Sequence, residues 1–574
     1  MTGSGEQVVD PPILAARQPW RVRDVDLERA AEIETGLGLD PITARVLVVR
    51  GLDTTAAAER FLAPGLDELH SPFAFVQMES AVDRLLFALR NGERIAVHGD
   101  YDVDGITGAV LLVIVLRHLG GEVELILPHR IADGYGLNPS GIDKAHAAGA
   151  AVLIAVDCGI SALDACAHAR SLGIDVIVAD HHLPKAELPL ATALLNPRLP
   201  DSGYPEQELA AVGVAFKLAR GLLERHPTKF SGIAMLKLVA LGTVADLVPL
   251  RGENRVMAFH GLAGLANPSN PGLKALLDVA GVDSQRVSAA DVAFRLAPRI
   301  NAAGRLAHPR DAAEMFLTTD PVRARRLAGE LQRLNALRQE TERGVYAEAA
   351  ALCTGEDPIT VVSGAGWHRG VIGIVASRLV ERFGRPALVI STDGASAHGS
   401  ARSIPGFNVV AALEAAAGHL AAYGGHHQAA GFQLPADQVD ALRDSLIEHA
   451  DRQDPLALCA TLNCDAILEP EAISPALALE LERLAPFGVG NPRPRFLCPD
   501  LRLAAPPRLL KEEHVKLQLR GPETDIEAIG WRRADLAESL RGVERVSLVA
   551  TLRPRKWQGR LTAQLEIGDI SARG

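Results

Sequence analysis

The chain has 574 residues, of which 48% are hydrophobic and 22% are charged. This length predicts about three or four domains, and the composition excludes a largely disordered, collagenous or coiled-coil protein. The formal net charge is −11, yet the stretch from Arg483 to Gly574 holds 17 Lys and Arg residues against 11 Asp and Glu residues. By net charge, therefore, only this C-terminal stretch is expected to attract phosphate groups.

The cysteines and the N-terminus indicate where the protein works. The six cysteines form no CxxC pair, which argues against a disulfide scaffold and against a structural zinc site. The N-terminus has no basic segment followed by an apolar one, and no apolar window is long enough to span a membrane. We therefore expect a cytoplasmic protein that makes no contact with a membrane.

In chain order, residues 1–70 are predicted to form a helical preface, because apolar residues recur at helical spacing from Leu27 to Leu52. In residues 71–268, short β-branched runs alternate with helical stretches, which predicts a parallel sheet with helical crossovers. The strands are apolar throughout, so both faces of the sheet should be buried. Polar residues at the strand ends should then lie at the carboxyl edge, where open α/β sheets bind ligands.

Three further segments follow. Residues 269–355 are predicted to be a helical connector, since apolar residues keep helical spacing for more than thirty positions from Pro321 to Cys353. Residues 356–452 form a second, smaller α/β unit. Residues 453–574 show strand-like alternation with Gly and Pro turns, which predicts a small antiparallel β-barrel.

The most specific motif is HGDYDVDGITG at residues 98–108, directly after the first predicted strand. It concentrates three ligands for hard metal ions, and later segments add further acidic and histidine side chains at strand ends and after a helix. The candidates are His98, Asp102, Asp104, Asp157, Asp180, His181, His182 and Asp246. In a parallel sheet these side chains should converge on one edge.

Carboxylates with a few imidazoles and no thiolate favour Mn²⁺ or Mg²⁺ over a structural zinc. The number of ligands suits two ions about 3.5 to 4 Å apart, which would promote hydrolysis of a phosphoester or a phosphoanhydride. A single DxD is more often a solvated turn or a helix cap. Four clusters, three of them at successive strand ends, favour the metal interpretation.

These motifs resemble those of the DHH phosphoesterase superfamily, and more closely those of its RecJ branch of single-strand-specific exonucleases. HGDYDVDGITG, VDCG, VADHHLP and GTVADLVPL correspond to the four motifs of the family, in order. The resemblance implies that the metal ligands are His98, Asp102, Asp104, Asp157, His181 and Asp246. It also implies that Asp157 bridges the two ions and that His182 contacts the phosphate or supports a ligand.

The same resemblance extends to the second α/β unit and to the connector. HGSARS and YGGHHQAAGF are similar to the DHHA1 substrate-binding domain, which implies that Ser400, Arg402, Gly425 and His426 hold a nucleotide phosphate. RINAAGRL and LNALRQ are similar to RecJ segments that approach the scissile strand, which implies phosphate contacts for Arg299, Asn301, Arg305, Arg338 and Gln339. For the second α/β unit, the alternative is that the glycines form a turn and the histidines are capping residues. For the connector, the alternative is a charged helix face in solvent.

The C-terminal block resembles the OB-fold of RecJ proteins. An OB barrel with positive charge and exposed aromatic rings is a platform for single strands, on which bases stack. The candidate stacking residues are Phe487, Phe496, Trp531 and Trp557. Aromatic residues at strand spacing are, however, more often part of a core.

The resemblance implies a metal-dependent exonuclease that degrades single-stranded DNA from the 5′ end and releases 5′-mononucleotides during recombination and repair. Its expected partners are single-stranded DNA, a helicase and a single-strand-binding protein, and we expect a monomer. Two alternatives remain. One is a DHH phosphodiesterase for oligoribonucleotides or cyclic dinucleotides, and the other is an inactive replication or repair scaffold.

Overall fold

The computed structural model describes residue 14 and residues 19–130, 133–134, 136–353, 357–453, 461–522, 524–557 and 559–573. Contacts within the chain define two compact units. One unit comprises residues 65–458 together with residues 486–491, and the other comprises residues 1–64, 459–485 and 492–574. In the described part of the chain, no helix is both long enough and apolar enough to cross a membrane.

The chain begins with one short strand and three helices. These elements are β1 (Trp20–Val22), α1 (Leu27–Leu37), α2 (Pro41–Val49) and α3 (Thr55–Leu62). Each helix starts after a residue whose side-chain oxygen accepts backbone N–H groups of the first turn, namely Asp26, Asp40 and Thr54. Such caps satisfy donors that have no partner within the helix.

The first sheet of the larger unit has five parallel strands. They are β2 (Arg94–Gly99), β3 (Val123–Ile126), β4 (Ala150–Val156), β5 (Asp175–Ala179) and β6 (Ala193–Leu195), in the spatial order β3-β2-β4-β5-β6. The accompanying helices are α4 (Met78–Asn91), α5 (Val103–His118), α6 (Pro139–Ala147), α7 (Leu163–Ser171), α8 (Ala211–Arg225) and α9 (Leu236–Ala245). Separate apolar clusters cover the two faces of the sheet, so its polar side chains gather at the strand ends.

Helices alone form the next region. They are α10 (Gly252–Gly264), α11 (Pro271–Ala280), α12 (Ala289–Asp291), α13 (Ala297–Leu306), α14 (Arg310–Leu317) and α15 (Pro321–Ala351). A π-helical turn, Val292–Leu296, joins α12 to α13. The 31-residue helix α15 lies within the range that the apolar spacing predicts.

The second sheet follows α15 and has five strands. They are β7 (Thr360–Ala365), β8 (Ala387–Asp393), β9 (Ser396–Arg402), β10 (Ala422–His426) and β11 (Ala429–Pro435), in the order β10-β11-β9-β8-β7. The β7–β8 pair is parallel and the other pairs are antiparallel. Its helices are α16 (Ile372–Phe383), α17 (Val409–Ala415) and α18 (Val439–Asp451).

The smaller unit contains a closed barrel of five strands, β14 to β18. Its elements are β12 (Leu462–Cys464), β13 (Ala466–Ile467), α19 (Pro475–Leu481), β14 (Phe496–Leu510), β15 (His514–Leu519), β16 (Ile526–Gly530), α20 (Leu536–Ser539), β17 (Arg545–Trp557) and β18 (Arg560–Arg573). The strands pair in the order β14-β15-β16-β18-β17, and β17 closes onto β14. The expectation of a wholly antiparallel barrel is wrong in one place, because β16 and β18 pair in parallel.

The N-terminal strand pairs with a strand from the other end of the chain. β1 lies parallel to β12, with Trp20 opposite Leu462. The indole N–H of Trp20 also donates to Asp569 at 2.8 Å. Residues 1–64 are therefore part of the same compact unit as the barrel, although the sequence presents them as a separate preface.

Candidate active site

The loop between β2 and α5 gathers three aspartates. The Oδ1 of Asp102 caps α5 by accepting the N–H groups of Asp104 at 2.9 Å and Gly105 at 3.1 Å. Position 105 requires glycine, because a Cβ there would lie 2.5 Å from the nitrogen of Asp100. The loop can therefore close tightly, and it brings Asp100, Asp102 and Asp104 to the edge of the sheet.

Asp104 is held by the start of another helix. Its buried carboxylate accepts the N–H groups of Ala211 at 2.8 Å and Val212 at 2.9 Å, in the first turn of α8. The N-terminus of a helix favours a negative charge at this position. Burial and the charge of Asp102 act in the opposite direction and raise the pKa of Asp104 to about 7.

Asp157 follows β4 directly and has a left-handed backbone, with φ of 62°. Residues without glycine's freedom are strained in this region, and such strain is concentrated at functional sites. Its carboxylate is buried, and no donor in the described residues bonds to its Oδ1. Burial, followed by the charges of Asp102, Asp104, Asp246 and Asp100, raises the pKa of Asp157 well above its usual value.

The two histidines after β5 are oriented by Asp180. Its carboxylate accepts the N–H groups of His181 at 2.7 Å, His182 at 3.1 Å and Ile160 at 3.0 Å, and the Nδ1 of His182 at 2.7 Å. A histidine that donates Nδ1–H to a carboxylate presents the lone pair of Nε2 to a ligand. Asp180 thus positions neighbouring side chains, and the structure places it outside the three ligand groups described next.

Three overlapping groups of side chains could each hold a metal ion, since their ligand atoms lie within 4.8 Å of one another. The Nε2 of His181 is 3.4 Å from Asp157, 3.5 Å from Asp246 and 4.0 Å from Asp104. Asp157 belongs to two groups and so does His181. The groups are Asp157–His181–His182, Asp104–His181–Asp246 and Asp100–Asp102–Asp157.

The electrostatics of these groups fit divalent cations. Burial and then the neighbouring carboxylates raise the pKa of Asp246 to about 9 and that of Asp100 well above its usual value. Neither oxygen of the buried Asp100 has hydrogen-bond geometry to a donor in the described residues. Buried carboxylates without partners are costly unless a cation neutralises them, and the oxygen-rich donor set suits Mn²⁺ or Mg²⁺.

The three groups differ from the predicted ligand set at two positions. His98, predicted as a ligand, lies outside all three groups: its Nδ1 is 3.7 Å from the Sγ of Cys158, and its Nε2 faces Gly141. Asp100, which the sequence analysis passed over, joins a group instead. The alternating aspartates of GDYDVDG already contained this position, but spacing alone does not say which carboxylates turn inward.

Positive side chains lie near the acidic groups. Arg130, another residue missed from the sequence, has its guanidinium carbon 4.9 Å from the ring centre of Tyr101. Arg305 donates Nη1–H to Gly370 O at 2.9 Å, and burial, followed by Arg130, Arg338 and Arg402, lowers its pKa to about 10. Burial and then Arg130 also lower the pKa of Arg402. Arg130, Arg305 and Arg402 therefore form a cluster of like charges, which an anion would stabilise. We call these three residues the arginine cluster.

The register of the second sheet places the predicted DHHA1 residues together. Across β9, β11 and β10, Ser400 pairs with Gly431, and Gly431 pairs with Gly424. In the same three strands, Arg402 pairs with Ala429, and Ala429 pairs with His426. The Nη1 of Arg402 donates to Ser400 Oγ at 3.2 Å. Burial, followed by His182 and Arg198, lowers the pKa of the exposed His426. Gly425 has φ of 149° in this edge strand. Ser400, Arg402 and His426 thus share one face of the sheet, and His426 lies within electrostatic range of His182.

The residues predicted on the connector have different surroundings. Arg299 donates Nε–H to Gln332 at 2.7 Å, and Arg338 donates to Glu342 at 2.5 Å and to Asn335 at 2.8 Å. Asn301 is half-buried and Gln339 is exposed. Arg305 therefore lies in the arginine cluster, whereas Arg338 is already paired with an acidic partner.

The four candidate stacking residues also differ. Phe496 is fully buried in the smaller unit, so the structure contradicts its prediction as a stacking residue. Phe487 is half-buried and belongs to the larger unit. Trp531 is 52% exposed, and its ring lies 5.0 Å from that of His514. The side chain of Trp557 lies outside the described residues. Trp531 remains as the stacking candidate on the barrel.

Comparison with known proteins identifies the family. Family models match for the DHH family N-terminal domain at residues 94–243, for the DHHA1 domain at 356–451 and for the RecJ OB domain at 464–569. The chain is 36% identical over 569 residues to the single-stranded-DNA-specific exonuclease RecJ of Bacillus subtilis, covering 97% of this chain and 71% of that protein. The chain belongs to the RecJ family. The resemblance seen in the sequence motifs is thereby confirmed.

Further relatives and a solved structure support the RecJ assignment. RecJ of Escherichia coli is 36% identical, with 96% of this chain and 99% of that protein covered. The crystal structure of Thermus thermophilus RecJ in complex with Mn²⁺ superposes with a TM-score of 0.84 at 32% identity, covering 96% of this chain and 79% of that one. A second structure of the same RecJ contains Mg²⁺. The predicted fold class is confirmed.

Proposed function

We propose that this RecJ-family chain is a metal-dependent exonuclease that degrades single-stranded DNA from the 5′ end and releases 5′-mononucleotides. The observation that carries the proposal is a set of buried, uncompensated carboxylates close to the arginine cluster within one unit of the chain. Its RecJ relatives are single-stranded-DNA-specific exonucleases, and RecJ structures hold Mn²⁺ or Mg²⁺.

We propose two cation sites that share Asp157. Asp104, His181 and Asp246 would hold one ion, and Asp100 and Asp102 would hold the other, with Asp157 contributing to both. When bound, the cations supply an activated water and neutralise charge that develops on the phosphate. His98 is left out of this set because of its position. The role of His182 is to present Nε2 to the substrate phosphate, since Asp180 orients its ring.

The arginine cluster and Ser400 would bind the terminal 5′-phosphate. A terminal phosphate monoester carries more negative charge than an internal diester, so a cluster of guanidinium groups favours the end of a strand. A fixed distance between this anion site and the cations would determine which bond is cut. Holding the end in this way would give the proposed 5′ polarity and the proposed release of mononucleotides.

The barrel would provide a second binding surface for single-stranded DNA. Its segment carries excess positive charge, and Trp531 offers an exposed ring beside His514. Base stacking with electrostatic attraction to phosphates is the usual basis of sequence-independent single-strand binding. A dinucleotide does not need such a platform, which disfavours a small-substrate DHH phosphodiesterase. The inactive-scaffold alternative is disfavoured because the acidic motifs come together in one site.

We also propose a role in recombination and repair, with a helicase and a single-strand-binding protein as partners, because a single-strand-specific enzyme depends on other proteins to expose its substrate. A monomer suffices, since one chain supplies all candidate site residues. A cytoplasmic location is consistent with the five described cysteines, which are free thiols.

The test is a digest of oligonucleotides labelled at the 5′ or the 3′ end, with Mn²⁺, Mg²⁺ or EDTA. Labelled mononucleotide should appear at once from the 5′ label and late from the 3′ label, and EDTA should stop the reaction. A 5′-hydroxyl substrate should be cut more slowly than a 5′-phosphorylated one. Early mononucleotide from the 3′ label, or equal cutting of a matched duplex, would refute the proposal.

A further inference from the structure

Phe294 is the most exposed of the described large hydrophobic side chains, at 80%. Single exposed hydrophobic residues are common and need no function by themselves. Phe294, however, lies in the π-helical turn Val292–Leu296, immediately before α13. Short π-helical segments in α-helices occur frequently at functional sites. Phe294 therefore combines an exposed aromatic ring with a π-helical backbone.

The π-helical turn keeps its apolar residues inside and turns the phenyl ring outward. Val292 and Leu296 are fully buried, and the N–H of Ala297 bonds to Val292 O, five residues earlier. Burial of the flanking residues anchors the turn. Phe294 itself contributes little to the core, so its apolar ring is available to an external partner.

Phe294 begins a stripe that leads to the active site. Phe294, Pro298, Asn301 and Arg305 follow at spacings of four, three and four residues, so they lie along one side of the helix. Pro298 and Asn301 are half-buried, and Arg305 lies in the arginine cluster. At 1.5 Å per residue the stripe is about 16 Å long. A strand whose end lies at the arginine cluster could follow this stripe for a few nucleotides.

The positive charge that suits a nucleic-acid strand on this segment is that of Arg299. Arg295 pairs with Asp291 at 3.1 Å. Burial, followed by the charge of Arg295, lowers the pKa of Arg299. Arg299 is also fixed by Gln332 of α15. An exposed aromatic ring with a guanidinium group on the same helical segment is a combination that binds a base and its phosphates without sequence preference.

We propose that Phe294 is a base-stacking residue for single-stranded DNA, about 16 Å along the helix from the arginine cluster. This inference rests on the proposed function, in which Arg305 contacts the terminal phosphate. It adds a binding position on the larger unit that is independent of the barrel. A longer strand would stack one base on Phe294 while its end is cut, and a dinucleotide would be too short to reach it.

The experiment compares the full-length wild type with Phe294→Ala and Phe294→Trp on 5′-phosphorylated oligothymidylates of increasing length. Phe294→Ala should raise KM for a strand of about twelve nucleotides by ~5- to 150-fold, corresponding to ~1–3 kcal/mol, and leave dinucleotide hydrolysis unchanged. Phe294→Trp should keep or lower KM. Phe87→Ala, at a 50% exposed position on α4, is the matched control and should change neither value.

An abasic nucleotide moved along the strand locates the stacked base. In the wild type, the abasic substitution should raise KM at one internal position and have little effect at its neighbours. In Phe294→Ala it should have no effect at that position, because the partner ring is already missing. An unchanged KM on long strands, or an equal loss on the dinucleotide, would overturn the role of Phe294. Failure of the wild type to cut any 5′-phosphorylated strand would instead refute the proposed function.

Discussion

Removing Arg402 should make the enzyme insensitive to the 5′-phosphate. Its Nη1 already donates to Ser400 Oγ and Ala401 O, and no acceptor for its Nη2 is present in the described residues. Loss of a buried, charge-assisted contact costs about 2–5 kcal/mol. Part of this loss is offset, because Arg402 also repels Arg130 and Arg305. The net loss should therefore be ~2–3 kcal/mol, or about 30- to 150-fold in kcat/KM.

The assay crosses two enzymes with two substrates. Wild type and Arg402→Ala are each measured on the same oligonucleotide with a 5′-phosphate and with a 5′-hydroxyl, and bound Mn²⁺ is measured in parallel. The 30- to 150-fold loss is expected on the phosphorylated strand, with less than about threefold on the hydroxyl strand and with unchanged metal content. Arg333→Ala, at a 62% exposed arginine of α15, is the control. Equal losses on both substrates would refute the contact between Arg402 and the terminal phosphate.

Asp157→Asn should lower kcat by orders of magnitude while the circular dichroism spectrum stays native, because asparagine tolerates the left-handed backbone at this position. Wild-type turnover of this variant in Mn²⁺ would contradict the role of Asp157 as a shared ligand. Gly105→Ala should lower both activity and Tm, since its Cβ would lie 2.5 Å from the nitrogen of Asp100, whereas Gly344→Ala, with open space around it, should not lower Tm. Phe496→Ala should lower the free energy of unfolding by ~3–5 kcal/mol in a denaturant titration, because the side chain is fully buried. Trp531→Ala should leave that free energy unchanged and weaken binding of long single strands in a fluorescence titration. Weaker DNA binding in Phe496→Ala together with a loss of stability in Trp531→Ala would contradict these roles.

Much of the candidate site could be predicted because parallel strands align their carboxyl ends. Asp157 and His181 end or follow neighbouring strands, so their convergence follows from alternating strands and helices alone. Arg130 follows β3 in the same way, and the same rule would have found it. It was missed because β3 carries no recognisable motif. The rule identifies the edge, but it does not choose among several polar residues in one loop.

His98 and Asp100 illustrate that limit. His98 still belongs to β2, and it is buried against Cys158 and Gly141, whereas Asp100 follows the strand and joins Asp102 and Asp157. The direction of each side chain depends on how the loop closes over Gly105. That closure is a three-dimensional contact that spacing does not encode.

Long-range pairings were also beyond reach of the sequence. β1 and β12 are separated by more than four hundred residues, and nothing in either three-residue segment specifies its partner. The same holds for the aromatic residues of the barrel, where strand alternation fits both the buried Phe496 and the exposed Trp531. The pairing also bears on experiments, because deleting the chain after residue 453 would remove the partner strand of β1.

The most direct test of the account is a titration of the metal-free protein with Mn²⁺, followed by calorimetry and electron paramagnetic resonance. We predict two Mn²⁺ ions per chain with magnetic coupling between them, and loss of that coupling in Asp157→Asn, because Asp157 is the ligand proposed to be shared. Two uncoupled ions, or wild-type coupling in Asp157→Asn, would contradict the proposed metal centre.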